Sequence, residues 1–525
     1  MQNGNPFHPH HRHVDPVLTD WVQVEHCLLR PRAAALAEAA PAAAIKKSTR
    51  SGAALAEAAP AAAIKKRTRA GAAAAPAAKK RPPPLPLPLR RQLQRQLKLP
   101  AYRNASCVEN TLRYMFYHLR CGIYAMIRGG RLRMLVPFAN SLYRNNWPAL
   151  TFDADSRHQY YHRKELQYAV RERIIQKEEE WWANGHLICN VRSSQVWGEH
   201  FMAELRQMLE GLCERYVVAD AEFFLNKRDF PHLSQDGQQE PYPFFADTPL
   251  EMNAFSSYCP ILSFYTSTQH ADLPMPLPQD WSGAREQEQE PAAEVAWSDK
   301  IATAFFRGSA TGVGITPETN QRLRLATLSG EWTEQHEGVP LLDAGITSWN
   351  TRDKKAQGEP VRHIQPDTLS ITLQPYVPLA AQRRYRYLLY VDGHCAASRY
   401  SQLMRTGSTI LKVASQSQAS ELWFFPLLEP YRDHVPVQAD LSDLREQIRW
   451  CLEHDKECQA IAQRAAELVR KHISTAGILG FLAQTVNAIG KKQEQSEVVD
   501  DHTSLCSGYP APSVAYLQTL HQLIR

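Results

Sequence analysis

From residue 300 to residue 475 the sequence alternates short apolar runs with amphipathic helical stretches. That alternation limits the fold more than any other feature of the chain. AFFRGSATG reads as a strand and turn, a helix follows at 320–328, and RYLLYVDG is a strand ending in Asp-Gly. SRYSQLMRTGS is a short helix stopped by Gly407, and STILKVAS is the next strand. Asp440 then caps one long helical stretch with Leu444, Ile448 and Leu452 in register. Strands and helices in this order build an open parallel sheet covered on both faces, so the fold class is α/β. Upstream, residues 206–217 make an amphipathic helix that runs into the β-rich VVADAEFFLN. TLRYMFYHLRCGIYAMIRGGRL has helical and then strand character, 138–147 reads as a loop, and 159–182 is charged and helical. The polar, acidic segment 282–296 reads as a hinge between two lobes.

The first hundred residues are a different material. They hold 17 Lys and Arg against 5 Asp and Glu, while the other 425 carry 43 against 49. The basic balance therefore belongs to the N-terminal segment and not to the body. AALAEAAPAAAIKK occurs at 34–47 and again at 53–66, with Pro41, Pro60 and Pro76 interrupting each Ala block. Proline breaks the helix that alanine favours, and RPPPLPLPLRR reads as polyproline II. Residues 1–100 are thus expected to form a disordered basic tail, able to meet an acidic partner or nucleic acid. His8, His10, His11 and His13 lie in it without carboxylate or Cys support for a metal. The 10 Cys include no CxxC pair, which excludes a zinc finger or ribbon by spacing, and they read as reduced, mostly buried thiols. No secretory h-region opens the sequence, no 18-residue apolar run crosses it, and LHQLIR is not an ER-retention tail. The expectation is a cytoplasmic protein without a transmembrane segment, not ER-targeted by its own sequence.

Several polar segments interrupt strands at their C-terminal ends, where open α/β sheets bind ligands. In AEFFLNKRDFP a β-run ends in Asn226, Lys227, Arg228 and Asp229, and a carboxylate there can act as a general base. In FRGSATG, Gly308 lets a ligand approach the backbone, while Arg307, Ser309 and Thr311 can grip a phosphate. No Gly-Lys-Ser/Thr follows, so this is not a P-loop. In VDGHCAASR, Arg399 falls in a first helical turn, where the helix N-terminus and the guanidinium both favour an anion. LDAGITS is less informative alone.

Taken in series, RGS, the Asn320/Arg322 segment, DAGITS, YLLYVDG with its following SRY and GS, and WFFPLLEPYRDHVPVQADLSDL resemble the family 90 glycosyltransferases. That family includes the protein O-glucosyltransferases and the capsule-associated xylosyltransferases. The resemblance covers roughly residues 205–475 and is collinear. The 110–150 region looks like the version carried by large DNA viruses and protists. The resemblance implies a GT-B fold, two Rossmann-like lobes about a central cleft. Residues 101–290 would form the acceptor-side lobe, 291–480 the UDP-sugar-binding lobe, and 481–525 a C-terminal helical extension. It implies inverting transfer of xylose or glucose from a UDP-sugar to a hydroxyl acceptor on a protein or glycan, in the host cytoplasm if viral. Asp229 matches the catalytic base. Arg307, Gly308, Ser309, Asn320, Arg322, Gly393, Ser398 and Arg399 fall on the donor side, and Asn226, Arg228, Ser267 and Thr268 line the acceptor side or cleft.

Inversion needs one base and no enzyme nucleophile. The leaving diphosphate gains charge that fixed arginines can meet, so no metal cofactor is required. Two rival readings remain open. Asp153-Ala-Asp155 has the spacing of a metal-binding DxD, which would make a Mn²⁺-dependent transferase. Alternatively, the chain is a non-catalytic scaffold or nucleic-acid binder acting through its basic tail.

Overall fold

The computed structural model describes residues 78–115, 119, 121–139, 199–235, 257–290, 293–350 and 363–496. The repeats, the histidine cluster, Asp153 and Asp155, the 140–147 loop and the 159–182 segment lie outside the described residues.

Two five-stranded sheets organise the chain. In the first, β1 (Cys121–Arg128) and β2 (Arg131–Ala139) form an antiparallel hairpin. Its turn is Gly129-Gly130 at φ +57° and +64°, a left-handed pair that side chains disfavour. β1 pairs antiparallel with β3 (Ala221–Asn226), which pairs parallel with β4 (Ile261–Ser263), and β4 with β5 (Leu273–Pro274). This sheet is mixed, whereas the sequence suggests a wholly parallel lobe. All six residues of β3 are buried, so AEFFLN lies inside the molecule and delivers its last residue to the sheet's C-terminal edge.

The second sheet is entirely parallel. It contains β6 (Ile301–Gly308), β9 (Leu342–Ile346), β10 (Tyr385–Tyr390), β11 (Thr409–Val413) and β12 (Val435–Val437), in the order β12-β11-β10-β6-β9. A small hairpin, β7 (Gln335–His336) with β8 (Val339–Pro340), precedes β9. A parallel sheet is covered on both faces, hence the near-continuous apolar runs in FF, YLLY and TIL. From β6 the chain passes outward to β9 and then returns to β10 on the other side of β6. That reversal opens a crevice at the C-terminal ends of β6 and β10.

The described helices are α1 (Leu87–Gln96), α2 (Val108–Arg113), α3 (Glu199–Arg215), α4 (Pro278–Gln289), α5 (Gln321–Glu331), α6 (Leu379–Gln382), α7 (Tyr400–Met404), α8 (Leu444–Glu453), α9 (Asp455–His472) and α10 (Thr475–Glu494). Four boundaries differ from the sequence reading. First, residues 80–100, which the sequence reading places in the tail, carry described structure. Lys80 pairs with Tyr216, and α1 takes the second half of the expected polyproline stretch, with Pro88 in its first turn and Leu89 and Leu93 buried, while residues 81–86 stay outside any helix or strand and Pro86 has φ −49° and ψ 146°. Second, the 282–296 hinge is largely α4, which buries Trp281 and Ala284. Third, the long helix is broken at His454, leaving Cys451 and Cys458 buried on separate helices. Asp440 only closes a turn with Ser442. Fourth, α10 is not an appendage starting at 481. It covers the first sheet, where Gln493 donates to Glu222 O at 2.8 Å and Asn487 accepts from Ala219 N–H at 2.6 Å.

Among the described residues no single helix is long and apolar enough to cross a membrane. The bent pair α9–α10 passes by length and composition alone. Its apolar positions, Ile478, Phe481, Leu482 and Val486 among them, are buried in the protein.

Asp280 on α4 joins elements of both halves. Its carboxylate accepts from the Ser401 hydroxyl on α7 and from Trp423 Nε1 at 3.3 Å. Burial pushes it up to about 6, against which those hydrogen bonds and Arg405 pull down. A carboxyl raised in the folded state binds a proton that the unfolded chain has already released. Its contribution is therefore most favourable below pH 4 and is lost as pH climbs to 6. Asp280→Asn lacks this titration. Its unfolding free energy relative to the parent should improve by about 2–3 kcal/mol between pH 4 and pH 7. Denaturant titration of both proteins at the two pH values checks it, and a constant difference would refute it.

Candidate active site

The end of β6 and the end of β10 are tied together by one side chain. Asn320 caps α5, accepting from the N–H groups of Arg322 and Leu323, and so fixes Arg322 in the first turn. Arg322 is 5% exposed. It donates to Ser309 O at 3.0 Å and to the Thr311 hydroxyl on the β6 side. On the β10 side it donates to Val391 O at 3.1 Å and Asp392 O at 2.9 Å. The Asn320 amide meanwhile donates to Thr311 O at 3.2 Å and Gly314 O at 2.9 Å, holding the loop after β6 against the helix.

Gly308 lies beneath this clamp. A Cβ there would stand 3.4 Å from Arg399 Nη2 and 3.5 Å from Arg322 Nη1, so two guanidinium groups converge on one backbone position. Both also approach the Phe306 ring, at 5.7 Å for Arg322 and 5.9 Å for Arg399. Arg399 Nη1 donates to Arg307 O at 2.8 Å. Arg399 precedes α7, but α7 has only five residues, so the expected helix-end contribution is small. Arg307 points elsewhere: its Nη2 meets Asp343 Oδ1 at 2.7 Å, and its Nη1 donates to the Phe306 and Asp343 carbonyls. Its guanidinium is thus engaged by β9. Ser309 Oγ accepts from Ser348 at 2.9 Å. Gly393 packs so closely on Thr311 that a Cβ would meet Oγ1 at 2.9 Å. Ser398 is half-buried beside Arg399. The eight residues that the resemblance assigns to the donor therefore fall at one crevice, though Arg322 and Arg307 hold the protein itself.

Across from it, Asn226 ends β3 and shapes the loop carrying Asp229. Its Oδ1 accepts from Arg228 N–H at 2.8 Å, and its amide donates to Phe230 O at 2.8 Å and Ser263 Oγ at 2.9 Å. Arg228 is buried and donates to Leu119 O. Asp272, wholly buried, accepts from the N–H groups of His232 and Leu233 and from Ser263 Oγ. Asp229, half-buried, is suspended between these fixed points. Burial and the Arg228 charge hold the neighbouring His232 well below the ordinary imidazole range, so it is neutral at pH 7. Ser267 hydrogen-bonds His270 Nδ1 at 2.8 Å, and Thr268 is exposed.

Tyr265 links the two sides. Burial pushes its phenol well up; next come the Cys395 thiol, to which it hydrogen-bonds, and the charge of Asp229. Asp229 from the first sheet and the 393–399 loop of the second therefore share one neighbour. Tyr265 and Asp272 have no role in the sequence reading, and Asp343 enters it only as part of LDAGITS. Asp343 lies in DAGITS and Asp272 in QHADLP, and neither has a local pattern that marks it.

A cavity of about 730 Å³ opens beside the crevice, lined by α1, Thr268 and residues of the 412–426 stretch. A small cavity of about 10 Å³ lies between Gly312, Asn320, Asp392 and Gly393, and Ser417 lines both spaces. Among the described residues no group of three or more His, Cys, Asp or Glu is placed to hold a metal ion.

The model of Glycosyl transferase family 90 matches residues 187–509. Uncharacterized protein 035R of Invertebrate iridescent virus 3 is 32% identical over 456 residues, 81% of this chain and 40% of that protein. Uncharacterized protein 179R of Invertebrate iridescent virus 6 is 29% identical over 75% of this chain and 38% of that protein. Protein O-glucosyltransferase 3 of Homo sapiens is 25% identical over 59% of this chain and 55% of that protein. The chain thus spans well under half the length of the viral relatives and about half that of the human one. The crystal structure of Anabaena Alr3699/HepE in complex with UDP-glucose overlaps 42% of this chain and 53% of that chain at 13% identity, with a TM-score of 0.23, too low for a statement about fold. With its family model matched over more than half its length, the chain belongs to glycosyl transferase family 90.

Proposed function

We propose that this glycosyltransferase is an inverting, metal-independent enzyme of GT-B type that moves a sugar from a UDP-sugar to a hydroxyl acceptor. Asp229 is the general base. The observation that supports the reading is the convergence of two guanidinium groups at the end of β6, Arg399 Nη2 and Arg322 Nη1 standing 3.4 Å and 3.5 Å from where a Cβ on Gly308 would lie. The acceptor hydroxyl would lie against Asp229, which takes its proton as the oxygen attacks the anomeric carbon. The diphosphate leaves on the opposite side, toward Gly308. Arg399 meets the growing charge there, and Arg322 adds its field while keeping the loops apart at the right distance. The names of the O-glucosyltransferase relatives favour glucose over xylose as the transferred sugar.

Calorimetry of UDP with and without EDTA tests this. Binding should persist in EDTA, and Arg399→Ala should weaken it by about 2–4 kcal/mol, the scale of a lost charge-assisted contact. Turnover should fall further than binding, because the charge is larger in the transition state. If EDTA abolishes binding by the parent protein while Arg399→Ala binds normally, the donor site lies elsewhere and Asp153/Asp155 becomes the better candidate.

A further inference from the structure

The 730 Å³ cavity is roofed by α1, a helix that precedes the family-matched region 187–509. Its size suits a ligand of one or two sugar rings. Its lining has a definite chemistry. Arg91 and Arg95 come from one face of α1, four residues apart, and Lys412 from β11, so three cations face one carboxylate, Glu421. Glu421 is raised by burial and lowered by Arg95 and Lys412, so it lies within reach of both.

The rest of the lining mixes hydroxyls with apolar groups, Pro88, Ala414, Phe425 and Pro426, and Lys412 Nζ lies 4.8 Å over the Phe425 ring. Thr268, Ser415, Ser417 and Ser420 contribute hydroxyls, and Phe425 offers an apolar ring against which α1 packs. Gln92 lines the same space at 7% exposure, and its Oε1 has no hydrogen-bond partner. Thr268 lies one residue past Ser267 in the loop after β4, and Ser417 also lines the small cavity beside Gly393. The cavity therefore adjoins the crevice, its wall tied to the 393–399 loop where Ser417 Oγ donates to His394 O at 2.8 Å and Ala396 N–H to Ala419 O at 2.8 Å.

We propose that this cavity is the acceptor subsite and that it takes an anionic sugar, one bearing a phosphate or a carboxylate. Arg91 and Arg95 are its specificity residues. The inference rests on the glycosyltransferase reading and adds the class of acceptor to it. The arginines hold the anionic group, the serine and threonine hydroxyls take the sugar hydroxyls, and Phe425 packs on the ring face.

The test is direct calorimetry on the full chain with no donor present, using a hexose 6-phosphate, a hexuronic acid and the uncharged hexose as probes, followed by UDP. The parent protein should bind at least one charged sugar tenfold or more tighter than the neutral one. The two charged probes separate a phosphate from a carboxylate ligand. Arg91→Gln/Arg95→Gln should bring that ratio near one and leave UDP affinity within twofold. Equal binding of all three sugars by the parent overturns the proposal. So does a parallel loss of UDP affinity in the double variant, which would assign the cations to the donor diphosphate. Loss of UDP binding in the parent itself would instead strike the donor reading, while the sugar ratio would still decide the acceptor subsite.

Discussion

Asp229→Asn is expected to bind UDP as the parent does and to transfer sugar about 10²–10⁴-fold more slowly, the usual contribution of a general base. The substitution keeps the size and planarity of the side chain and removes its capacity to accept a proton. It should not disturb the loop, because other residues hold it: Asn226 from within, and Asp272 through the His232 and Leu233 N–H groups. A fall in kcat with unchanged UDP affinity therefore reports chemistry and not folding. The residual rate should lose its dependence on a basic group at low pH, since no carboxylate replaces the one removed. Single-turnover transfer measured across pH for both proteins gives the answer. An Asn variant that transfers at the parent rate would sink the assignment of the base.

The second sheet was legible because each of its strands is a short apolar run set between turn residues and helices. A parallel strand buried on both faces cannot look otherwise. The crevice was legible for the same reason: polar residues that interrupt such runs at their C-terminal ends have few other places to be. The first sheet was harder to read. β4 and β5 have three and two residues, too short for any periodicity, and β5 contains a proline. α1 was hidden by composition. RPPPLPLPLRRQLQRQ reads as polyproline followed by charge, yet Pro88 sits where a helix tolerates it, and the chain beyond it carries Leu89 and Leu93 at one face. What decided its state was packing against a distant part of the chain, which a local pattern does not contain.

The side chains of the site were legible as types and not as roles. FRGS and the Asn320/Arg322 segment meet at one crevice, but nothing in either says which guanidinium faces a ligand. That depends on Asp343 arriving from β9 to take Arg307, and on the carbonyls of β10 closing around Arg322. Both partners are far away in sequence, and one of them is backbone, which no residue type records.

Arg322→Ala should therefore behave as a structural lesion before it behaves as a binding one. The side chain donates to three backbone carbonyls and a hydroxyl, all inside the protein. Removing it leaves those carbonyls without their charged donor and separates the ends of β6 and β10. The expected cost is about 3–5 kcal/mol of unfolding free energy, comparable to breaking a buried charge network. Arg322→Lys should recover little of it, since an ammonium on a single stem cannot span both loops as the guanidinium does. A donor-contact role predicts something different: UDP affinity would fall in Arg322→Ala while unfolding stayed within about 1 kcal/mol of the parent, as expected for a substitution that leaves the core intact. Denaturant unfolding and UDP calorimetry on the same two variants separate the roles. A stable Arg322→Ala protein with weak UDP binding would return Arg322 to the donor contacts, and a destabilised one would leave Arg399 as the arginine that meets the diphosphate.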